Sequence, residues 1–227
     1  MIVYGKQIVF YILDKHPEMI EEIFLTKEID KKLFKKFMDN GAKIIRPDMQ
    51  KAQGLARGGN HQGFLLRIKD YEYTELTQLK KKEFIVVLDG LTDTGNIGAI
   101  IRSCYALGAE GLIICGLKNP LPAPMVRTSS GTMLDFPVGL VHNSFDLANE
   151  LKQLGFSLVG ADPDGYDVKT LSRDSGQKMA LFLGNEGDGL SNRLAKKLDV
   201  KVAIKMENDF DSLNVSVAAG ILIHALK

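Results

Sequence analysis

Cysteine is nearly missing from this chain. The two that occur, Cys104 and Cys115, sit in apolar surroundings, which excludes a disulfide framework and reads as reduced core thiols of a cytosolic protein. No zinc-ligand spacing is present, so no metal site is expected. Charge of one sign is missing too: 29 Lys and Arg against 28 Asp and Glu leave a formal net charge of +1. Any basic footprint for nucleic acid must therefore be local. No apolar run is long enough to cross a bilayer, and Met1 leads directly into patterned sequence, so neither a membrane segment nor a signal peptide is expected. Internal repeats and low-complexity tracts are also absent. What is left is 227 residues, 45% hydrophobic and 25% charged, enough for one large core or two modest ones.

The first third reads as a small α/β unit. Helical spacing runs from Tyr4 to Lys15, Glu22 to Thr26 is strand-like, and Asp30 caps a helix that stops at Asn40-Gly41. Lys43 to Ile45 is a strand, Asp48 to Ala56 a helix, and Gly63 to Lys69 a further strand. Lys31, Lys32, Lys35 and Lys36 crowd one helix. They are either a solvated face or a set of phosphate contacts. Arg57-Gly-Gly-Asn-His-Gln-Gly63 is a tight turn whose Asn60, His61 and Gln62 could read single-stranded RNA. Asp70 to Lys82 is polar and poor in core residues, and it is read as the linker region.

The remainder changes character. Phe84 to Leu88 is a continuous apolar run, the mark of a strand buried on both faces. Helix and strand patterns then alternate to the end: helix 97–107, strand 111–115, helix 124–130, strand 137–141, helix 145–154, strand 157–161, strand 179–183, helix 192–198 and strand 201–204. The last segment, Val215 to Leu226, is apolar on nearly every side apart from Ser216 and His224, with Asn214 or Ser212 as its N-cap. Such a helix requires cover from another domain or a second subunit. The alternation implies a mostly parallel sheet with helices on both faces.

Open sheets of this kind place ligands at the carboxyl ends of their strands, where three loops emerge: Leu88 to Arg102, Leu183 to Ser191, and Met206 to Asn214. Gly184, Gly187 and Gly189 invert the order of the dinucleotide fingerprint, and Glu186 and Asp188 would repel a pyrophosphate. A cationic ligand suits these carboxylates better, and S-adenosylmethionine, with its sulfonium, is one.

Asn96-Ile-Gly-Ala-Ile-Ile-Arg102, Leu183-Gly-Asn-Glu-Gly187 and Ser212-Leu-Asn-Val-Ser-Val-Ala218 resemble the three motifs of the SpoU/TrmH class of the SPOUT superfamily, RNA ribose 2′-O-methyltransferases. Gly59-Asn-His-Gln-Gly63 and the unit around it look like the substrate-binding domain of the subfamily that methylates a guanosine in the peptidyl-transferase loop of 23S rRNA. Two positions depart from the pattern: Asp93-Thr94 replaces Asp-Pro before the first motif, and Ile204-Lys-Met-Glu-Asn208 replaces Ile-Pro-Met-x-Gly.

The resemblance implies an α/β fold: a SPOUT-type, mostly parallel sheet with a C-terminal trefoil knot, an exception to the rule against threading, plus a small ribosomal-protein-L30-like N-terminal domain. It implies residues 1–75 as the RNA substrate-binding domain, 76–82 as linker and 83–227 as the methyltransferase domain. It further implies S-adenosyl-L-methionine as cofactor, 23S rRNA as substrate and a homodimer. Adenosine is expected at backbone groups of Leu183, Gly184, Ile204, Met206 and Leu213. Arg102, Asn96, Glu186, Ser212 and Asn214 are expected in the active site, and Arg57, Asn60, His61 and Gln62 on RNA. The family gives the motif 1 arginine the base role. A guanidinium is a permanent cation, so Arg102 is assigned here to the target phosphate and to the developing alkoxide. Each assignment has a structural rival: an ion pair for Arg102, helix capping for Asn96, Ser212 and Asn214, and a favourable helix-start charge for Glu186. Arg127 to Gly131 is a further candidate for a phosphate or dimer contact. The competing functions are a tRNA ribose methyltransferase and a non-catalytic RNA-binding protein on the same scaffold.

Overall fold

The computed structural model describes residues 1–171, 174, 176–208 and 212–227. The chain forms two compact units, Met1–Glu72 with Leu121–Leu134, and Tyr73–Pro120 with Asp135–Lys227.

The first unit opens with strand β1 (Ile2–Tyr4) and helix α1 (Lys6–Lys15). Tyr4 belongs to the strand, not to the helix its spacing suggested; Gly5, at φ 107°, makes the turn between them. Strand β2 (Ile20–Leu25), helix α2 (Lys31–Asp39), strand β3 (Lys43–Ile45), helix α3 (Met49–Leu55) and strand β4 (Phe64–Ile68) follow. Asp30 and Asp48 start the two helices, accepting from the backbone N–H of Leu33 at 2.9 Å and of Lys51 at 2.7 Å. The sheet order is β1-β4-β2-β3, with β4 antiparallel to both neighbours and β2 parallel to β3. Phe24, Ala52, Ala56 and Leu65 form a core on one side, while Phe64 meets Phe10 edge-on, ring centroids 5.4 Å apart. The Leu121–Leu134 segment packs on β1. In it the Arg127 guanidinium lies 5.1 Å from the Tyr4 ring, a contact inside the unit.

The second unit begins with helix α4 (Leu76–Leu79), inside the stretch expected to be linker. Leu79 is fully buried. A Cβ on Gly111 or on Gly139 would come within 2.4 or 2.5 Å of its methyl carbons, so those two glycines make the room for it. The ordered elements are then β5 (Phe84–Asp89), α5 (Thr94–Leu107), β6 (Gly111–Cys115), the first unit's helix α6 (Pro122–Thr128), β7 (Val138–Val141), α7 (Ser144–Gln153), β8 (Ser157–Asp167), β9 (Met179–Gly184), α8 (Asn192–Ala195), β10 (Val200–Ala203) and α9 (Val215–Leu226). The sheet runs β10-β8-β9-β5-β6-β7 and every pairing is parallel. Phe84 to Leu88 are wholly buried, as a strand covered on both faces must be. Successive strands build outward from β5 on one side through β6 and β7, and on the other through β9, β8 and β10. The crevice of an open sheet lies where the order reverses.

Two features are not evident from the sequence pattern. Strand β8 is 11 residues long, and its pairing with β10 jumps: Lys201 faces Gly160 while Val202 faces Tyr166. Residues 161–165 therefore leave the ladder at its carboxyl end. Helix α9 buries Ala219, Leu222, Ile223 and Leu226 but leaves Val217 51% and Ile221 40% exposed, with His224 also on the surface. Within one chain this helix is covered on one face only.

Candidate active site

Three loops leave the carboxyl ends of β5, β9 and β10, and each is held by its own polar side chains. In the first, Asp93 accepts from the Asn96 N–H at 2.6 Å and caps α5. The capping role considered for Asn96 thus belongs to Asp93, and the Asn96 amide is left for other partners. In the second, the Asn185 side-chain oxygen accepts from the N–H groups of Gly187 at 3.0 Å and Asp188 at 2.7 Å. Gly184 cannot carry a side chain there: a Cβ would lie 2.0 Å from the carbonyl carbon of Gly189. Asp89, at the end of β5, accepts from the Ser191 N–H at 3.3 Å and closes this loop against the neighbouring strand. In the third, Asn214 caps α9, accepting from the Ser216 N–H at 2.9 Å and from its hydroxyl at 2.5 Å. Asp209 to Asp211 of this loop lie outside the described residues.

A relay of side-chain amides joins all three. Asn214 donates through Nδ2 to the Asn96 Oδ1 at 3.1 Å, and Asn96 donates through Nδ2 to a Glu186 carboxylate oxygen at 2.5 Å. The orientation of each amide is set by its neighbours: the Asn214 oxygen is occupied by Ser216, so its nitrogen must face Asn96, and the Asn96 nitrogen must then face an acceptor. Glu186 supplies that acceptor, so its partner here is Asn96.

Between the second and third loops lies a cleft of 770 Å³. Leu183, Gly184, Ile204, Met206 and Leu213, the expected adenosine contacts, all line it, as do Glu186, Ser212 and Asn214. Asn96 reaches it through its bonds to Glu186 and Asn214. Arg102, six residues further along α5, sits about 9 Å farther along the helix axis, is exposed, and is not among the described residues that line the cleft. Val202, Ala218 and Leu222 add an apolar wall. Sequence reasoning missed Ala161, Asp162 and Pro163, which line the cleft from the excursion of β8. The only available signal was the Asp-Pro-Asp-Gly turn composition after the strand.

Charge in the cleft is acidic, with Glu186, Asp188 and Asp162 against Lys205. Asp162 is held below the ordinary carboxylate range, chiefly by the hydrogen bond from Lys201, whose Nζ lies 2.7 Å away. The cysteines contribute no nucleophile. Burial pushes both thiols up, Cys115 to about 12 with help from the Asp89 charge, and Cys104 further. Among the described residues no group of His, Cys, Asp and Glu is arranged to hold a metal ion, and no helix is long and apolar enough to cross a membrane.

The glycine-rich turn of the first unit has a defined geometry of its own. Arg57 and Gln62 both take left-handed backbone conformations, φ 48° and 52°, which non-glycine residues seldom adopt. Gln62 is held there because its N–H donates to Asn60 at 3.2 Å while its side-chain oxygen accepts from the Lys6 N–H at 3.0 Å. His61 is only 6% exposed, and its Nδ1 accepts from the Gly63 N–H at 3.1 Å. The imidazole therefore braces the turn, while Arg57, Asn60 and Gln62 remain on the surface.

Comparison with known proteins agrees with this layout. Residues 83–224 match the SpoU rRNA Methylase family, and residues 2–74 match the family described as RNA 2′-O ribose methyltransferase substrate binding. A Staphylococcus aureus (strain COL) protein assigned to the TrmH family of tRNA/rRNA methyltransferases is 32% identical over 225 residues, covering 94% of this chain and 89% of its own. The AdoMet-bound rRNA methyltransferase from Sinorhizobium meliloti superposes with a TM-score of 0.78 at 25% identity, over 99% of this chain and 85% of that one. The SpoU methyltransferase AviRb from Streptomyces viridochromogenes, in complex with AdoMet, gives 0.77 at 26% identity, over 99% and 88%. With residues 83–224 and 2–74 matched in this way, the chain belongs to the SpoU rRNA Methylase family and is an RNA methyltransferase of the SpoU/TrmH type.

Proposed function

We propose that the protein is an S-adenosyl-L-methionine-dependent enzyme that methylates the ribose 2′-oxygen of a guanosine in the peptidyl-transferase loop of 23S rRNA, acting in the cytoplasm as a homodimer. The observation that carries this reading is the convergence of three sequence-distant motifs on one cleft through the Asn214, Asn96 and Glu186 bonds.

The cleft fits the cofactor. Its 770 Å³ lies within the range of small-molecule sites. Gly184 lets the Gly189–Leu190 backbone pack directly against it, which draws the second loop tightly round one side of the cleft that Gly184 and Gly189 both line. Leu183, Leu213 and Leu222 provide apolar contact, and Glu186 and Asp188 provide negative charge toward a sulfonium. When bound, S-adenosylmethionine supplies an electrophilic methyl group. Leu183, Gly184, Ile204, Met206 and Leu213 hold its adenosine and methionine portions. Asn96, fixed between Glu186 and Asn214, orients the groups that meet the ribose, and Ser212 offers a hydroxyl at the cleft mouth. Arg102, exposed on α5, would hold the phosphate flanking the target nucleotide and favour negative charge developing on the 2′-oxygen. Arg57, Asn60 and Gln62 contact RNA at the first unit, with His61 acting through the shape of the turn.

The exposed Val217 and Ile221 on an otherwise apolar α9 support the dimer, since a second copy would cover that face. The C-terminal trefoil knot belongs to the same reading, and the return of α9 from the edge strand β10 to pack on α5 agrees with it. The mixed four-stranded sheet of the first unit agrees with an L30-like substrate-binding domain. A tRNA substrate is the second reading, favoured by the tRNA/rRNA designation of the S. aureus relative.

The test is transfer of labelled methyl groups to purified 23S rRNA and to bulk tRNA, followed by digestion to nucleosides. Label recovered as 2′-O-methylguanosine from 23S rRNA supports the proposal. Label confined to tRNA favours the second reading, and RNA retention without label would make the chain a binding protein.

A further inference from the structure

The first unit carries a second cavity, of 490 Å³, that the methyltransferase reading leaves unused. It lies between α1, the β2–α2 connection and α2. Lys6, Lys27, Lys32 and Lys36 line it against Glu28 and Asp30. The carboxylate of Asp30 is engaged in capping α2, and Lys36 pairs with Asp14. Lys6, Lys27 and Lys32 thus face the cavity with only Glu28 as an uncommitted countercharge among its described lining residues. Phe10 and Phe64 form an aromatic floor, and the lysines lie over it: Lys27 Nζ is 4.5 Å from the Phe64 ring centroid and Lys6 Nζ 5.7 Å from that of Phe10.

Two of the lysines that line the cavity also meet the glycine-rich turn. The Lys6 N–H is the donor that holds the Gln62 side chain, and a Cβ on Gly63 would come within 2.7 Å of the Lys27 side chain. The left-handed backbone at Gln62 and the placement of Lys27 are therefore parts of one arrangement. On the opposite side of α2, Lys31, Lys35 and Arg46 surround the exposed Met38 and the half-buried Phe34. That surface has similar charge but no packed ring pair beneath it.

We infer that the cavity bounded by Lys6, Lys27 and Lys32 beside Phe10, next to the turn that carries Asn60 and Gln62, is the site where the first unit seats an unpaired RNA nucleotide. This rests on the RNA-modifying reading above and adds to it the location and chemistry of a seat for single-stranded RNA. Lysines at the rim neutralise phosphates on both sides of the nucleotide. The half-buried Phe10 ring, packed edge-on against the buried Phe64, offers aromatic surface to an unstacked base, and the exposed Asn60 and Gln62 of the neighbouring turn offer amide groups to base edges and ribose hydroxyls. A duplex presents its phosphates on a convex rod with its bases stacked inside, and it would not use an aromatic floor.

The test uses the full-length protein and a fluorescein-labelled single-stranded RNA decamer of mixed sequence, with anisotropy measured at several salt concentrations. The Lys27→Ala, Lys32→Ala double variant is compared with Lys31→Ala, Lys35→Ala, which removes equal charge from the other face of α2. Thermal melting and cofactor titration on each variant establish that folding and the cleft are intact. The cavity pair is expected to weaken RNA binding at least about tenfold and to flatten the logarithmic salt dependence by about 1.4, near 0.7 for each single-strand phosphate lost. The control pair is expected to change affinity less than about threefold. Equal losses for both pairs would overturn the seat while leaving RNA binding by the unit in place. A wild-type protein that does not bind the decamer would overturn both. Equal affinity for the decamer and for a matched duplex, with equal sensitivity to the cavity pair, would also contradict a single-strand seat.

Discussion

Asn96 and Glu186, 90 residues apart in the chain, are joined by a 2.5 Å hydrogen bond from the amide nitrogen to the carboxylate. With Asn214 bonded to the other end of the same amide, one side chain ties the loops after β5, β9 and β10 together. Replacing Asn96 by alanine removes both bonds, leaving Glu186 without the donor that orients it and the Asn214 amide nitrogen without the Asn96 acceptor. Methyl transfer should fall by about 100-fold or more in kcat, while Kd for S-adenosylmethionine, measured by titration calorimetry, should change less than threefold, as roughly expected for a positioning group. Equal losses in both would make Asn96 a plain structural support.

Arg102 should behave differently from the residues that line the cleft. It is exposed on α5, so Arg102→Ala should leave the melting temperature and cofactor affinity nearly unchanged and cut turnover on RNA by at least about two orders of magnitude. Loss of cofactor binding in step with turnover would contradict its assignment to RNA phosphate and developing charge.

Gly184→Ala puts a methyl group against the Gly189 backbone, 2.0 Å from its carbonyl carbon. The loop must shift for this side chain to fit. Cofactor affinity should drop more than about tenfold while single-stranded RNA binding by the first unit stays as in wild type. Retained affinity would place the adenosine elsewhere than against this loop.

Leu79 anchors α4 on the sheet and is fully buried. Leu79→Ala should cost about 2–5 kcal/mol in urea unfolding, the range for an incompletely filled cavity. A cost near zero would show that Leu79 does not anchor this segment.

Asp162 links stability to pH. Its carboxyl is held below the ordinary range by Lys201, so ionisation is favoured in the folded state. The contribution is complete above the unfolded value, near 3.9 for aspartate, and is lost as pH falls through the folded value. The difference in melting temperature between wild type and Asp162→Asn should be present at pH 7 and vanish in strong acid. It should be small, no more than about 1 kcal/mol, because Lys201 is 44% exposed and solvent screens the pair. A difference that grew on acidification would reverse the sign and refute the pairing.

Much of this architecture is legible in the residues because the sheet of the second unit is buried on both faces. Strands such as Phe84–Asp89 and Gly111–Cys115 then appear as unbroken apolar runs between helix signals. Caps were readable where an aspartate or asparagine stood before a periodic segment, as at Asp30 and Asn214. Other features depend on contacts between distant residues. Tyr4 carries helical spacing but pairs with Leu65 across the sheet. Leu79 lies in a polar stretch, and its burial depends on two glycines more than 30 residues away. Asp162 reaches the cleft only because β8 departs from β10 for five residues, a register event no local pattern encodes. His61 has the composition of a ligand-binding side chain, yet its ring closes its own turn.

The most direct test of the account is calorimetric titration of the full-length protein with S-adenosylmethionine. Saturable heat at one site per chain, lost in the Gly184→Ala variant, is the predicted result. Absence of heat with the wild-type protein, or binding indifferent to that substitution, would contradict the claim that the three loops enclose the methyl donor.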